Sequence, residues 1–222
     1  RRQRRLQSGI VARAIEGLDA SLGAARRSTD LDALRGHEGL AARAYFEGLG
    51  AAIRNPAFTF AGRSRRPPRD PVNACLSFGY TLLVIRVEHA VRATGLDASL
   101  GVLHEPNRAA PALALDLAEE ARVLVDDLVL TLINRQQLQV DDFRNPPEDE
   151  VGPGMEGAVY MGKVGKTILT RAWERRIREV DTHPISHQGW PLMSLFQEQA
   201  RQIARVARGE ADTYVPLLWE AR

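Results

Sequence analysis

The chain has 222 residues, a formal net charge of +2 and a hydrophobic share of 44%, an ordinary share for a globular protein and enough for a sizeable core. No apolar run reads as long enough to cross a bilayer, and Arg1-Arg2-Gln3-Arg4-Arg5 is not followed by a signal-type apolar core. The single cysteine, Cys75, cannot close an internal disulfide, so the expected setting is a reducing cytoplasm and the thiol reads as a buried structural group. Lys163 and Lys166 are the only lysines, so the positive charge is carried almost wholly by arginine, whose planar fork suits phosphate. A GC-rich genome explains that overall bias equally well. Local clusters are the better guide.

The periodicity predicts an all-α chain. Ile10, Ala14, Leu18 and Leu22 recur every four residues and give a first helix over about 7–27. Thr29 or Asp30 can cap a second, carrying Leu31, Leu34, Glu38, Ala42, Tyr45 and Leu49 to about Ile53. A loop with Pro67-Pro68 follows. The third helix is the best punctuated: Asp70 as N-cap, Pro71 at the first position and Gly95 beyond the end, with an apolar series from Val72 to Val87. It should be the buried centre. After a connector over 96–111, a fourth helix is predicted over about 112–138, then a long loop over 139–157 with Asn145-Pro146-Pro147 and Gly152-Pro153-Gly154. Two more helices are predicted over about 164–181 and 191–208, and Tyr214-Val215-Pro216 ends the chain outside any helix. The reading is almost wholly helical, and the whole chain reads as one helical domain.

Several residues could carry chemistry. Glu38 lies mid-helix on a face with Ala41, Ala42 and Tyr45, where small neighbours leave room for a carboxylate. His104 follows apolar residues in Gly101-Val102-Leu103-His104-Glu105-Pro106, where a lone histidine is more often packed than ligating. Asp116 and Glu119 stand three apart and project to nearly one side of a helix, whereas Glu120 points away from Asp116. Acidic residues early in a helix also suit its dipole. Two carboxylates and an imidazole from three segments could hold one divalent ion, and that donor set suits magnesium or manganese. Arg63, Arg65, Arg66 and Arg69 crowd seven residues of a proline-stiffened loop, either a phosphate-binding lip or a solvated surface.

Taken together, these segments resemble one family. Arg35-Gly36-His37-Glu38-Gly39-Leu40-Ala41-Ala42-Arg43-Ala44-Tyr45-Phe46, then Arg66-Pro67-Pro68-Arg69-Asp70-Pro71-Val72-Asn73-Ala74-Cys75-Leu76-Ser77-Phe78-Gly79-Tyr80, are similar to two motifs of the CRISPR-associated integrase and endonuclease of spacer acquisition. Gly95-Leu96-Asp97 with Gly101-Val102-Leu103-His104, Leu113 to Glu120, and Tyr214-Val215-Pro216 resemble three more. The five stand in the family's order and cover roughly 30–216. The resemblance implies a helical catalytic domain in which Glu38, His104 and Glu119 hold Mg2+ or Mn2+, with Asp116 as a supporting or alternative ligand. It implies that Asn73, Ser77 and Tyr80 face that site.

It further implies a reaction on double-stranded DNA, a free 3′-hydroxyl attacking a phosphodiester at the CRISPR repeat boundary to insert a spacer. The implied partners are a second copy, as a homodimer, and a small ferredoxin-like adaptation protein. His37, Ala121 and Val123 depart from the family pattern without removing a ligand. The family's β-rich front domain has no counterpart in these residues, so paired, efficient integration is expected to need more than this chain. The competing readings are a domain with nuclease activity only, and a non-enzymatic helical DNA-binding or scaffold protein whose carboxylates cap helices.

Overall fold

The structure, a computed structural model, describes residues 2–104, 111–147, 151–182 and 187–219, with the side chains of 2–6 left aside. The side chains of the terminal Arg1–Arg5 cluster, and Glu105 and Pro106 of the connector, lie outside this description. Helices dominate, and the chain divides into two compact units, one of residues 1–75 with 130–165 and one of 76–129 with 166–222.

The first unit is built on a helical hairpin, α1 (Arg2–Ala25) and α2 (Leu31–Ala52). Asp30 is the cap of α2: its backbone is extended, and its Oδ1 accepts the Ala33 N–H at 2.8 Å. The helices approach through small residues. A Cβ on Gly48 would lie 2.9 Å from that of Ala14, and one on Gly17 would lie 3.1 Å from that of Ala44. Rising numbers on one helix meet falling numbers on the other, so the pair is antiparallel. The loop after α2 is pinned by amides: Asn134 accepts the Arg54 N–H at 2.7 Å and donates to the Ala52 carbonyl, while Asn55 donates to the Ile133 carbonyl at 3.1 Å. The Arg66–Pro67 peptide is cis.

The second unit holds most of α3 (Pro71–Ala93), with α4 (Ala112–Glu119), most of α5 (Arg122–Asn134) and α6 (Lys163–Arg176), and α7 (Leu192–Ala207). Its core includes Leu83, Val91, Val125, Leu169, Trp173 and Leu195, all essentially inaccessible. Gly79 lets α3 and α5 touch, since a Cβ there would stand 2.5 Å from Val125 Cγ1. The start of α3 follows the predicted punctuation: Asp70 Oδ1 accepts the Asn73 N–H at 2.8 Å, and Gly95 takes the left-handed φ of +77°. Contrary to the sequence expectation, α3 is long and apolar enough to cross a bilayer, with a mean hydropathy of 1.3 over its best window, but half of that window is buried in the protein. It reads as a core helix.

Three boundaries move. The fourth helix breaks at Glu120-Ala121, where the Ala121 and Leu124 amides bond three residues back, to Ala118 and Ala121. The break turns the Glu120 carbonyl to the Trp219 indole N–H instead of to its own helix. The stretch predicted as a loop from residue 139 contains regular structure: a 3-10 turn at Val140–Asp142 leads into β1 (Phe143–Arg144), antiparallel to β2 (Tyr160–Met161). The next helix stops at Arg176, not near 181, and β3 (Val180–Thr182), with two β-branched residues, pairs with β4 (Gly189–Pro191).

Cys75 is fully buried. Burial, then the nearby charges of Asp70 and Asp142, push its thiol far above the ordinary range. At pH 8 the native protein should therefore resist a thiol-reactive dye, and denaturation should release one labelled thiol per chain. Rapid labelling of the native protein would place Cys75 outside the core.

Candidate active site

The second unit builds a clasp around His104. Residues 101–104 run alongside α4, and Asp116 on that helix gathers them. Its Oδ2 accepts the N–H groups of Val102 at 2.5 Å and Leu103 at 3.0 Å, and its Oδ1 accepts the His104 N–H at 3.0 Å. The His104 ring Nδ1 lies 2.6 Å from the same Oδ1. Gly101 makes the approach possible: a Cβ there would stand 2.5 Å from the His104 carbonyl oxygen and 3.0 Å from Asp116 Oδ2.

Burial alone raises the proton affinity of Asp116, but the His104 ring and the three backbone N–H groups outweigh it and hold the carboxyl below its ordinary value. An ionised carboxylate only accepts, so Nδ1 carries a proton toward it, and in the neutral ring Nε2 is the nitrogen left for a ligand. This is the pairing that orients a metal-ligating histidine. The Asp116 side chain is 11% exposed and that of His104 is 38% exposed, so the carboxylate is sheltered while the imidazole reaches outward.

Glu119 stands one turn along α4. Its carboxylate lies 2.7 Å from Arg122 Nη2, across the helix break. The Arg122 guanidinium also sits over the Tyr80 ring, 5.0 Å from its centre, and the Tyr80 hydroxyl donates to the buried Asp126. Arg122 and Asp126 are participants the sequence reading missed. The signals were present as i+3 from Glu119 and i+4 from Arg122. Ser77 is half-buried, one turn before Tyr80, and its carbonyl accepts the Thr81 hydroxyl.

Glu38 belongs to the first unit, on α2, with an exposed side chain. Its small neighbours leave open space, since a Cβ on Gly36 or Gly39 would meet nothing within 4 Å. The candidate ligands are thus divided between the units, and among the described residues no three His, Cys, Asp or Glu side chains form an ion-holding cluster. The pair brought together is His104 and Asp116.

The arginine loop is also in the first unit, and Asn73 organises it. The Asn73 Oδ1 accepts the Ser64 N–H at 2.9 Å and Arg63 Nη1 at 2.8 Å, and its Nδ2 donates to the Gly62 carbonyl at 2.8 Å. Asn73 therefore braces the loop, and Arg63 is partly committed to it. Arg65 and Arg66 are exposed, and Arg69 donates to the Gly154 carbonyl at 3.3 Å. Between this loop and the helical hairpin lies a cleft of about 790 Å³, lined by Arg43, Phe46, Phe60, Arg63 and Arg65 among others.

Residues 1–175 match the family model described as CRISPR associated protein Cas1. The chain belongs to the Cas1 family. It is 44% identical over 194 residues to "CRISPR-associated endonuclease Cas1 2" of Rhodospirillum rubrum, an alignment covering 86% of this chain and 54% of that protein. Three such curated relatives are spanned over only 54% to 57% of their length. Solved structures share the fold, and two illustrate it. A casposase bound to an integration product superposes with a TM-score of 0.78 at 19% identity, over 96% of this chain and 58% of that one. A chain of a Cas6-RT-Cas1–Cas2 complex gives 0.82 at 24% identity, over 100% of this chain and 24% of that one. Membership of the Cas1 family agrees with the resemblance read from the five motifs and with the helical fold class.

Proposed function

We propose that this Cas1 chain carries the helical catalytic part of a metal-dependent DNA endonuclease and integrase of CRISPR adaptation, working in the cytoplasm. The observation that carries the proposal is the clasp, in which an ionised Asp116 fixes the His104 tautomer and leaves Nε2 for a ligand. The ligands that the resemblance implies, His104 with the carboxylates of Glu38 and Glu119, are donor types that would suit a hard divalent ion, with Asp116 acting through the histidine. When bound, Mg2+ or Mn2+ would activate an attacking hydroxyl and steady the charge that grows on the phosphate. The chain's own residues orient the site and balance its charge. Asp116 holds the imidazole, Arg122 neutralises Glu119, and Arg65 and Arg66 offer forks to DNA phosphates. Double-stranded DNA, a second copy and a small ferredoxin-like partner are the proposed associates. Two fold neighbours support this by their descriptions, one bound to an integration product and one in a complex with Cas2.

The test uses a fluorescent branched DNA carrying a free 3′-hydroxyl next to a repeat boundary, incubated with the chain and Mn2+ or with a chelator. Metal-dependent joined products support integrase chemistry, and cut products alone support the nuclease reading. Identical behaviour with chelator present would leave a DNA-binding scaffold. A second expectation concerns affinity. Removing an arginine that neutralises one phosphate should reduce the slope of log affinity against log salt by about 0.9. Replacing Arg65 and Arg66 together by Ala should flatten that slope, while an unchanged slope would return both to solvated surface. Arg63 is left intact in this variant because it braces the loop.

A further inference from the structure

Glu120 is a half-buried carboxylate that the proposed chemistry does not use, yet it gathers three hydrogen-bond partners from residues 199–217. It accepts the Tyr214 hydroxyl at 2.6 Å and the Leu217 N–H at 2.9 Å, and Gln199 Nε2 lies 3.2 Å away. Its backbone carbonyl accepts the Trp219 indole N–H. Two buried amides complete the fastening. Gln199 donates to the Tyr214 hydroxyl at 2.7 Å and to the Val215 carbonyl at 3.0 Å, and Gln202 accepts the Val215 N–H at 3.1 Å. Leu217 is buried while Leu218 beside it is 83% exposed. The segment from Tyr214 to Trp219 has no regular structure of its own, so these bonds and the Leu217 anchor are what hold it.

We infer that Glu120 is a positioning residue: by tying Tyr214–Trp219 to the junction of α4 and α5 it fixes the direction of Glu119. The inference rests on the proposed role of Glu119. The physical argument is about a short helix. α4 has 8 residues, too few to hold its shape by its own hydrogen bonds. Its start is tied by the Leu113 N–H to the Ala98 carbonyl at 2.9 Å. At its end the helical ladder is broken, and the residue after Glu119 is held by side chains and backbone from residues 199–219. Glu119 itself reaches across the break to Arg122. If the strap is released, the break can straighten or fray, and the Glu119–Arg122 geometry changes with it. Tyr214 is a dependable donor here: burial, then the Glu120 hydrogen bond and charge, push its hydroxyl well above its ordinary value.

The test compares Glu120→Ala, Glu120→Gln and Tyr214→Phe with the parent chain. Glutamine can still accept the Leu217 N–H and donate to the Tyr214 oxygen, so Glu120→Gln should retain most of what Glu120→Ala loses. Tyr214→Phe removes one hydroxyl from the far side of the contact and remains informative if Glu120→Ala fails to fold. In metal-free protein, hydrogen exchange at the Ala121 and Leu124 amides should quicken at least about 10-fold in Tyr214→Phe and Glu120→Ala. Mn2+ affinity should weaken about 10-fold, in the range that outer partners of metal ligands command. For DNA cleavage, kcat should fall with little change in KM. Unchanged exchange at the junction overturns the strap. Faster exchange with wild-type Mn2+ affinity and kcat overturns its coupling to Glu119. Absence of any Mn2+ response in the parent chain would instead overturn the proposed function, and the exchange result would still decide whether the strap holds the junction.

Discussion

His104→Ala is expected to abolish both the Mn2+-induced gain in thermal stability and metal-dependent DNA cleavage or joining, with the fold unchanged. The loss follows from Nε2 being the nitrogen left for a ligand once Nδ1 is committed to Asp116. The fold should survive because the backbone N–H of residue 104 keeps its bond to Asp116 Oδ1, and the ring is more than a third exposed. An ion bound only by the folded chain contributes about 2.7 kcal/mol at 100 times its dissociation constant, and that increment should vanish. Activity should fall by more than the roughly 10–100-fold typical of outer partners, since a ligand itself is removed. Differential scanning fluorimetry with and without Mn2+, beside a cleavage assay and far-UV circular dichroism, checks the three parts. A His104→Ala protein with undiminished metal-dependent activity would end the proposal.

Much of this arrangement was legible from residues alone. Asp30 and Asp70 are caps whose short acceptors suit the first free N–H groups of α2 and α3, and Gly95 marks the end of α3 by supplying a positive φ. These are local rules, and the structure follows them. What sequence periodicity could not reveal is set by partners far along the chain. The apolar spacing from Leu113 to Leu132 runs through Glu120 without interruption, whereas at the break Glu120 is bonded by the segment around Tyr214–Trp219, some 94 residues on. The short pair β1–β2 is similar: two residues per strand are too few for an alternating pattern, and the pairing depends on the chain returning at Tyr160. Asn73 shows the same limit in the site. The family resemblance implied that it faces the candidate ligands, and its side chain is seen to brace the arginine loop through Ser64, Arg63 and Gly62, which no local spacing announces. Asp116 is the opposite case. Its spacing from Glu119 marked it as a neighbour of the ligands, and the structure supplies the reason it matters.

That reason makes Asp116→Ala the variant with the largest expected effect on the second unit. In sequence terms Asp116 looked secondary to Glu119, and its removal would be expected to do less. The clasp reverses that order for stability. Alanine at 116 leaves the N–H groups of Val102, Leu103 and His104 without their shared acceptor and leaves the imidazole without the bond that sets its tautomer. Hydrogen bonds to a charged acceptor contribute about 1.5–3 kcal/mol each, and water can replace part of that in an outward-facing loop, so a loss of about 3 kcal/mol is expected. Glu119→Ala removes one partly buried pair with Arg122 and should cost about 1 kcal/mol in stability while still abolishing the metal response. Asp116→Asn separates charge from shape. The amide oxygen can still accept from part of the loop, so stability should recover partly. The imidazole, facing a neutral partner, should bind Mn2+ at least about 10-fold more weakly. Urea unfolding and Mn2+ titration of the three variants measure both quantities. If Asp116→Ala unfolds at the wild-type midpoint, the loop over 101–104 is held by something other than this carboxylate, and the tautomer argument for His104 falls with it.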